Sequence, residues 1–503
     1  MLAGCASLPP QQGRTASTAL TNTGETWLGK TVQPAAAEHP GESGVRGLSI
    51  PREAFAARVV LARYAERSLD VQYYIWHADT TGFLMFEEMW KAAERGVRVR
   101  MLLDDNGIAG LDPTIAALDS HPNIEVRLWN PYVNRGLKAL GYLTDFKRLN
   151  RRMHNKSFTA DGQATIVGGR NIGDEYFGAG DEMVFVDLDV VAVGPIAGDV
   201  EAEFDLYWNS DSAYPAAAIV PAAKPDAVAA MKAKFAAVEA SPEAVEYIEA
   251  VRATKLAEEL TAHELRLQWT SAQVISDEPG KTLDKAEESQ LVITRLKQVI
   301  GSPDREIDII SPYFVPREAG TRTLCGYVQG GARMRILTNS LAATDVGHVH
   351  AGYSKSRNPL LRCGAELYEL KPHAVSAQSA RKASKGQGSA GGSSSASLHA
   401  KTVSADRNRV FVGSFNLDPR SANLNTEMGL VMDDPTLASA VSNWLDQSLD
   451  RVAYHVILTP SGSLEWVEKT EQGEVRFHTE PKTSFFKRLT VAIFKLLPID
   501  WML

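Results

Sequence analysis

Two stretches, MHNKSFTADGQATIVGGRNIG (153–173) and LHAKTVSADRNRVFVGSFNLD (398–418), carry the residues of this chain best suited to chemistry. His154, Lys156, Asp161, Gly168 and Asn171 stand at offsets 0, +2, +7, +14 and +17, and His399, Lys401, Asp406, Gly413 and Asn416 repeat those offsets without a gap. In an extended chain residues i and i+2 project from one face, so each histidine is expected to point with its lysine. The dipeptides Asp161-Gly162 and Asp406-Arg407 predict turns after each pair. One His-Lys pair would be ordinary, whereas two on duplicated units predict a single shared site on a pseudo-twofold axis. Two imidazoles and two ammoniums suit a phosphodiester: the cations hold the nonbridging oxygens, one histidine attacks phosphorus and the other protonates the leaving oxygen. This chemistry calls for no metal and no cofactor.

Other chemistries lack their residues. An HxK pair offers a metal one ligand where HxH or HExxH would offer two, and no cysteine is near either pair. His348 and His350 do form HxH, in what the sequence presents as a loop at the mouth of the site. The GKT at 280–282 fails as a phosphate-binding loop, because Ile275 stands where the first glycine belongs. No GxSxG supports serine catalysis.

The elements that must position the pairs are also duplicated. SLDVQYYIW (68–76), a helical LMFEEMWKAAERG and VRVRMLLDD (97–105) read strand, crossover helix, strand; EIDIISPYF (306–314), GTRTLCGYVQGG and ARMRILTNS (332–340) read the same. Each is a βαβ unit and implies a parallel strand pair. Between the halves, residues 216–265 are rich in Ala, Lys and Glu, and Ser241-Pro242-Glu243 marks a helix start. HAVSAQSARKASKGQGSAGGSSSASL, leading into His399, predicts a flexible excursion able to gate access.

A chain of 503 residues needs more than one core. Its net charge of −8 opposes a nucleic-acid partner, which would call for a positive field. No apolar run is long enough to span a membrane. Leu2-Ala3-Gly4-Cys5 resembles the bacterial lipobox, with Cys5 as a lipid anchor, and the Pro, Gly, Ser, Thr and Ala-rich residues 6–45 read as its tether. At the other end Phe485, Leu489, Ala492, Ile493, Leu496 and Leu497 recur at helical spacing beside Lys487, Arg488 and Lys495 until Pro498. That pattern suits an interfacial helix on anionic lipid, and equally a helix packed on the core.

HxKxxxxD followed by GG or GS and Asn, present twice, resembles the phospholipase D superfamily over roughly residues 50–500. Within it, GGRNIGDEYF and SFNLDPRSANLNTEMG are most similar to bacterial cardiolipin synthases of the lipoprotein-like C type. The resemblance implies a phosphohistidine intermediate, with His154 as nucleophile and His399 as general acid and then base. Lys156, Lys401, Asn171 and Asn416 would ligate phosphate oxygens, and a carboxylate in each half would orient an imidazole through its other N–H. Aligning Pro195 with Pro435 sets Asp187 opposite Glu427 for that role, with Asp189 or Glu182 as substitutes for Asp187. Asp161 and Asp406 complete the motif and are expected to hold the local fold. Arg170, which replaces Phe415 of the second half, adds charge to one side of the site or forms a structural ion pair. Tyr73, Tyr74, Trp76, Tyr313 and Phe314 are expected in the core, with a lipid cleft as the other reading. Cys325 and Cys363 are expected as buried apolar residues, their pairing not inferable from the sequence.

The expected fold is α/β: two homologous phospholipase D-like halves, each a mixed β-sheet flanked by helices, with a pseudo-twofold active site at their interface. The expected boundaries are 1–45 for the anchor and flexible tether, 46–215 for the first half and 216–290 for the helical connector. The second half takes 291–455, and 456–503 forms a C-terminal extension with a membrane-facing helix. The expected reaction moves a phosphatidyl group from phosphatidylglycerol or phosphatidylethanolamine to phosphatidylglycerol, making cardiolipin. A phospholipase D hydrolase shares every motif residue and differs only in using water; a lipoprotein that merely binds phospholipid is the non-catalytic rival. The expected location is the bacterial cell envelope, as a periplasm-facing lipoprotein on a membrane surface, and an accessory protein stays open.

Overall fold

The computed structural model describes residues 8–11, 14–179, 184–261, 265–344, 346–372 and 396–496. They form two compact units. The first draws on the chain up to Gly180, on Asp189–Thr294 and on Leu424–Leu430; the second draws on Asp181–Leu188, Arg295–Asn423 and Val431–Leu503. Each unit thus takes a short segment from the opposite half of the sequence.

In the first unit Ser68–Ile75 and Arg98–Gly107 run parallel from Ser68 opposite Arg98, joined by the helix Thr80–Glu94. Asp79 starts that helix by accepting the Gly82 N–H at 2.9 Å, and Gly96 at φ 95° ends it in a conformation that disfavours other residues. Ile124–Trp129 adds a third parallel strand. On the other side of Ser68–Ile75 the sheet turns antiparallel through Ser157–Ala160, Ala164–Gly168, Asp189–Val193, Ser43–Leu48 and Gln268–Thr270, and Ala213–Pro215 closes the far edge of nine strands. Leu69, Val71, Val99, Met101, Val126 and Leu128 are buried, as central strands covered on both faces require.

The second unit repeats the plan. Glu306–Ile310, Arg333–Asn339 and Glu366–Leu370 are parallel, with the helices Arg317–Gln329 and Gly347–Arg362 as crossovers. Thr402–Ala405 and Arg409–Gly413 are antiparallel to them on one side. Ala453–Leu458, Leu464–Thr470 and Gly473–Phe477 extend the other side. The duplication reaches the core chemistry: Asp70 lies opposite Arg100 and Asp308 opposite Arg335, each pair buried and bidentate. Their N···O distances are 2.6–2.8 Å. A fork of this geometry satisfies both charges where water cannot.

Several expectations change. The tether read over 6–45 is folded well before its end: Trp27–Glu38 is a helix capped by Thr26, and Ser43–Leu48 is a strand. Leu28 and Val32, one turn apart and buried, supply an apolar anchor too short to register as a period. Ahead of them, Ser17 accepts from the Trp208 indole at 2.9 Å and the Ala19 N–H donates to Asp205 at 2.8 Å. The helices Ala227–Glu239, Pro242–Arg252 and Lys255–Thr261 do lie between the halves, Ser241 accepting the Ala244 N–H at the expected start, and they belong to the first unit. Phe485–Leu496 is helical. Cys5, Glu182 and residues 373–395 of the expected excursion lie outside the described residues. No helix among the described residues is long and apolar enough to cross a membrane.

Candidate active site

In the first unit His154 and Lys156 occupy the extended run just before Ser157–Ala160, not the strand itself. Lys156 curls back so that Nζ donates to the His154 carbonyl at 2.6 Å. His154 is 8% exposed, and its Nδ1 lies 2.8 Å from Oε2 of Glu427, which is fully buried. The segment carrying Glu427 is brought there by backbone: the His154 N–H donates to the Thr426 carbonyl at 2.8 Å, and the Thr426 N–H to the Arg152 carbonyl at 3.0 Å.

The second unit uses the same device. Val184–Val186 pairs in parallel with Ala396–Leu398, and the His399 N–H donates to the Val186 carbonyl at 2.9 Å. The next residue, Asp187, sets Oδ2 2.6 Å from His399 Nδ1, and Lys401 Nζ donates to the His399 carbonyl. Asp187 and Glu427 each lie within hydrogen-bond distance of an imidazole, in each case that of the histidine of the opposite half of the sequence: Glu427 meets His154, and Asp187 meets His399. With Nδ1 as the donor to a carboxylate, the neutral ring keeps its lone pair on Nε2, the nitrogen suited to attack or to take up a proton.

Of the substitutes for Asp187, Asp189 is committed to Arg58 at 2.9 Å and Arg170 at 3.4 Å, and Glu182 lies outside the described residues. Arg170 is structural: its guanidinium donates to the carbonyls of Leu48, Ser49 and Tyr176. Asp161 and Asp406 are both engaged with backbone. Asp161 accepts the N–H groups of Glu66, Arg67 and Ser68, and Asp406 those of Asp304, Arg305 and Glu306. Both sit in left-handed turns, φ 53° and 54°, which a short side chain bonded to nearby backbone tolerates. Gly168 is a glycine because a Cβ there would stand 2.2 Å from Asp189 Oδ1. Asn171 is buried, accepts the Ile75 N–H at 3.2 Å and donates to the Tyr176 hydroxyl at 2.9 Å. Asn416 is 4% exposed, and among the described residues its Oδ1 has no hydrogen-bond partner.

Further supports escaped the sequence reading. The residue before each histidine is fixed by a side chain at the end of the second parallel strand: Asp104 accepts the Met153 N–H at 2.8 Å, and Asn339 accepts the Leu398 N–H at 3.0 Å. Asp104 and Asn339 each lie four residues beyond the matching arginine, Arg100 or Arg335, a signal that was present in the repeat. Asp277 grips the Glu427 backbone with two bonds, its N–H to the Glu427 carbonyl and its carboxylate to the Glu427 N–H, both 2.9 Å. Burial pushes the Asp277 carboxyl up to about 6, against the pull of Lys281 at 2.8 Å. The failed GKT motif thus holds the lysine that neutralises this support.

Of the remaining candidates, only Tyr74 touches a motif residue in the contacts described. Tyr73, Trp76 and Phe314 are core residues, while the Tyr74 ring meets His154 edge-on at 5.0 Å. Cys325 and Cys363 are partly exposed and joined as a disulfide linking the first crossover helix to the end of the second, not buried singly. His348 and His350 lie on the helix Gly347–Arg362, not on a loop. His350 meets Glu480 at 3.2 Å and Glu369 lies nearby, but the Arg357 guanidinium fills the group, 2.6 Å from Glu480 and 2.8 Å from Glu369.

Residues 61–208 and 296–449 each match the family model described as "Cardiolipin synthase, PLD-like domain". The chain is 47% identical over 477 residues to cardiolipin synthase C of Escherichia coli (strain K12), covering 95% of this chain and 99% of that protein. It is 34% identical over 466 residues to an uncharacterized protein of Helicobacter pylori (strain ATCC 700392 / 26695), covering 92% and 90%. Its fold is similar to the crystal structure of a phosphatidylserine synthase from Haemophilus influenzae Rd KW20, with a TM-score of 0.56 at 14% identity, covering 94% of this chain and all of that one. Duplicated halves, paired His-Lys motifs and full-length similarity agree: the chain belongs to the cardiolipin synthase family of phospholipase D-like proteins.

Proposed function

We propose that this protein is a cardiolipin synthase, transferring a phosphatidyl group to phosphatidylglycerol through a phosphohistidine. The observation that carries the reading is the pair of imidazoles, each held at Nδ1 by a buried carboxylate, at 2.8 Å and 2.6 Å. His154 Nε2 attacks the donor phosphorus, the bond to the headgroup oxygen breaks, and His399 delivers its Nε2 proton to that oxygen. The hydroxyl of an incoming phosphatidylglycerol then gives its proton to His399 and attacks phosphorus, the N–P bond breaks, and cardiolipin leaves. Lys156 and Lys401 hold the nonbridging oxygens through their ammonium groups. Asn171 and Asn416 assist in phosphate binding, and Glu427 and Asp187 stabilise positive charge on their rings. Asp161 and Asp406 act on the fold alone.

The same reading places the protein on the cell envelope, anchored through Cys5 and facing the periplasm. Phe485, Leu489 and Ile493, 64%, 44% and 53% exposed on the C-terminal helix, support its contact with lipid. The deciding experiment is mass spectrometry of the lipids formed in phosphatidylglycerol micelles, with and without phosphatidylethanolamine, by the wild type and His399→Ala. Cardiolipin that depends on His399 supports the synthase and identifies the donor. Phosphatidic acid alone would make the protein a hydrolase, and no product would leave a lipid-binding role.

A further inference from the structure

The short helix Lys138–Thr144 of the first unit presents large apolar side chains to water. Leu137, Leu140 and Leu143 are 61%, 49% and 83% exposed, and Phe146 on the following turn is 41% exposed. Spacing of three residues sets the leucines along one side of the helix. The opposite side is fixed to the fold. The Tyr142 hydroxyl meets that of Tyr132 at 2.8 Å, and Gly141 sits so close to Leu149 that a Cβ would come within 2.7 Å of Cδ1. The apolar face is therefore held outward by a packed inner face.

Its own segment of the chain is basic. Residues 134–151 contain Arg135, Lys138, Lys147, Arg148 and Arg151 against a single acid, Asp145, in a chain whose net charge is −8. Arg135 meets Asp105 and Asp112, Lys138 meets Asp105, Arg148 meets Asp145, and Arg151 and Lys147 share Asp284. The Lys147 side chain nonetheless remains 80% exposed, adjacent in sequence to Phe146. An outward apolar stripe beside exposed cationic charge is the pattern of an element that lies in a lipid headgroup boundary. Phe146 precedes His154 by eight residues, so such contact would fall close in sequence to the proposed nucleophile.

We infer that the face formed by Leu140, Leu143 and Phe146 docks on an anionic phospholipid bilayer, the apolar side chains entering the acyl boundary while Lys147 stays at the phosphates. The inference rests on the reading that the substrates are membrane phospholipids. Three full-length proteins test it: wild type, the double variant Leu140→Ser/Leu143→Ser, and Leu143→Trp. Vesicles of phosphatidylglycerol and phosphatidylcholine in equal parts are compared with vesicles of phosphatidylcholine alone. The double variant is expected to bind the anionic vesicles at least tenfold more weakly, about 1.4 kcal/mol, with an unchanged thermal midpoint. On anionic vesicles the indole introduced by Leu143→Trp is expected to shift its emission to the blue, relative to the wild-type background, and to be quenched by lipids brominated on the acyl chain. Unchanged vesicle binding by the double variant, or no quenching, overturns the inference. So does a fall in oligomer mass on light scattering without loss of vesicle binding, which would make a second copy of the chain the occupant. Turnover of short-chain phosphatidylglycerol below its micellar concentration keeps the two readings apart. The double variant is expected to retain it, and its absence in the wild type would defeat the proposed function without touching the vesicle result.

Discussion

Replacing Glu427 by Gln removes a charge while nearly preserving shape, and the structure says what that charge does. Its Oε2 stands 2.8 Å from His154 Nδ1 in surroundings that leave Glu427 no exposure. At that distance, with an effective dielectric near 20, a carboxylate and an imidazolium attract by about 6 kcal/mol, which sets the ceiling. A Gln carbonyl retains a hydrogen bond, so the loss is the excess of a charged bond over a neutral one, about 1–2 kcal/mol, or about 5-fold to 30-fold in rate. His154 becomes cationic only as it bonds to phosphorus, so the loss is expected in kcat, with KM within about threefold of wild type. Initial rates of cardiolipin formation from phosphatidylglycerol micelles measure it. Asp187→Asn is expected to fall by a similar factor on the natural donor. On a p-nitrophenyl phosphatidyl donor, whose leaving group needs no acid, Asp187→Asn is expected to recover the first-turnover burst, while Glu427→Gln stays slow. A Glu427→Gln enzyme within threefold of wild type would refute the reasoning, and recovery of both variants on the activated donor would refute the division of roles.

Other consequences are open to measurement. Asp161→Ala removes the buried acceptor of three backbone N–H groups, one of them buried and two part-buried, and is expected to destabilise the first unit by about 1–3 kcal/mol, read as a lower urea midpoint. Burial opposes ionisation of Glu480, but the Arg357 guanidinium and His350 hold its carboxyl at about 2, below the ordinary glutamate value of 4.5. Since the folded value is the lower one, this stabilisation is complete above the unfolded value and is lost as pH falls from about 4.5 toward 2. Glu480→Gln is accordingly expected to unfold at a lower temperature at pH 7 and to show a shallower acid decline of the thermal midpoint over that window. Replacing Cys325 and Cys363 by Ser opens a crosslink across 38 residues and is expected to cost about 4 kcal/mol by the chain-entropy relation, measured by urea unfolding under non-reducing conditions.

The sequence by itself determined the parts that are local. Two histidine-lysine pairs at matching offsets, the turn aspartates Asp161 and Asp406, and the βαβ units at 68–105 and 306–340 all lie within short stretches, where strand alternation and turn chemistry act on neighbouring residues. The resemblance they carry, together with the acidic net charge, pointed to a phosphodiester on a lipid and away from nucleic acid. Asp187 and Glu427 were legible as carboxylates of the right kind, but their partners were not. Each reaches its histidine across a long separation, 273 residues for Glu427 and 212 for Asp187, through short segments that join the opposite half. The pairing depends on backbone bonds between distant strands, and no periodicity records which distant strand will be the neighbour. Tertiary structure likewise decided that Lys281 neutralises the support of Glu427 in place of binding a nucleotide, and that Arg170 braces the loop at Leu48 and Ser49. It also turned the later part of the apparent tether into a helix and the start of a strand. In each case a few side chains gain their partners only after the sheet has formed, and those long-range contacts outweigh the weak preferences of the local sequence.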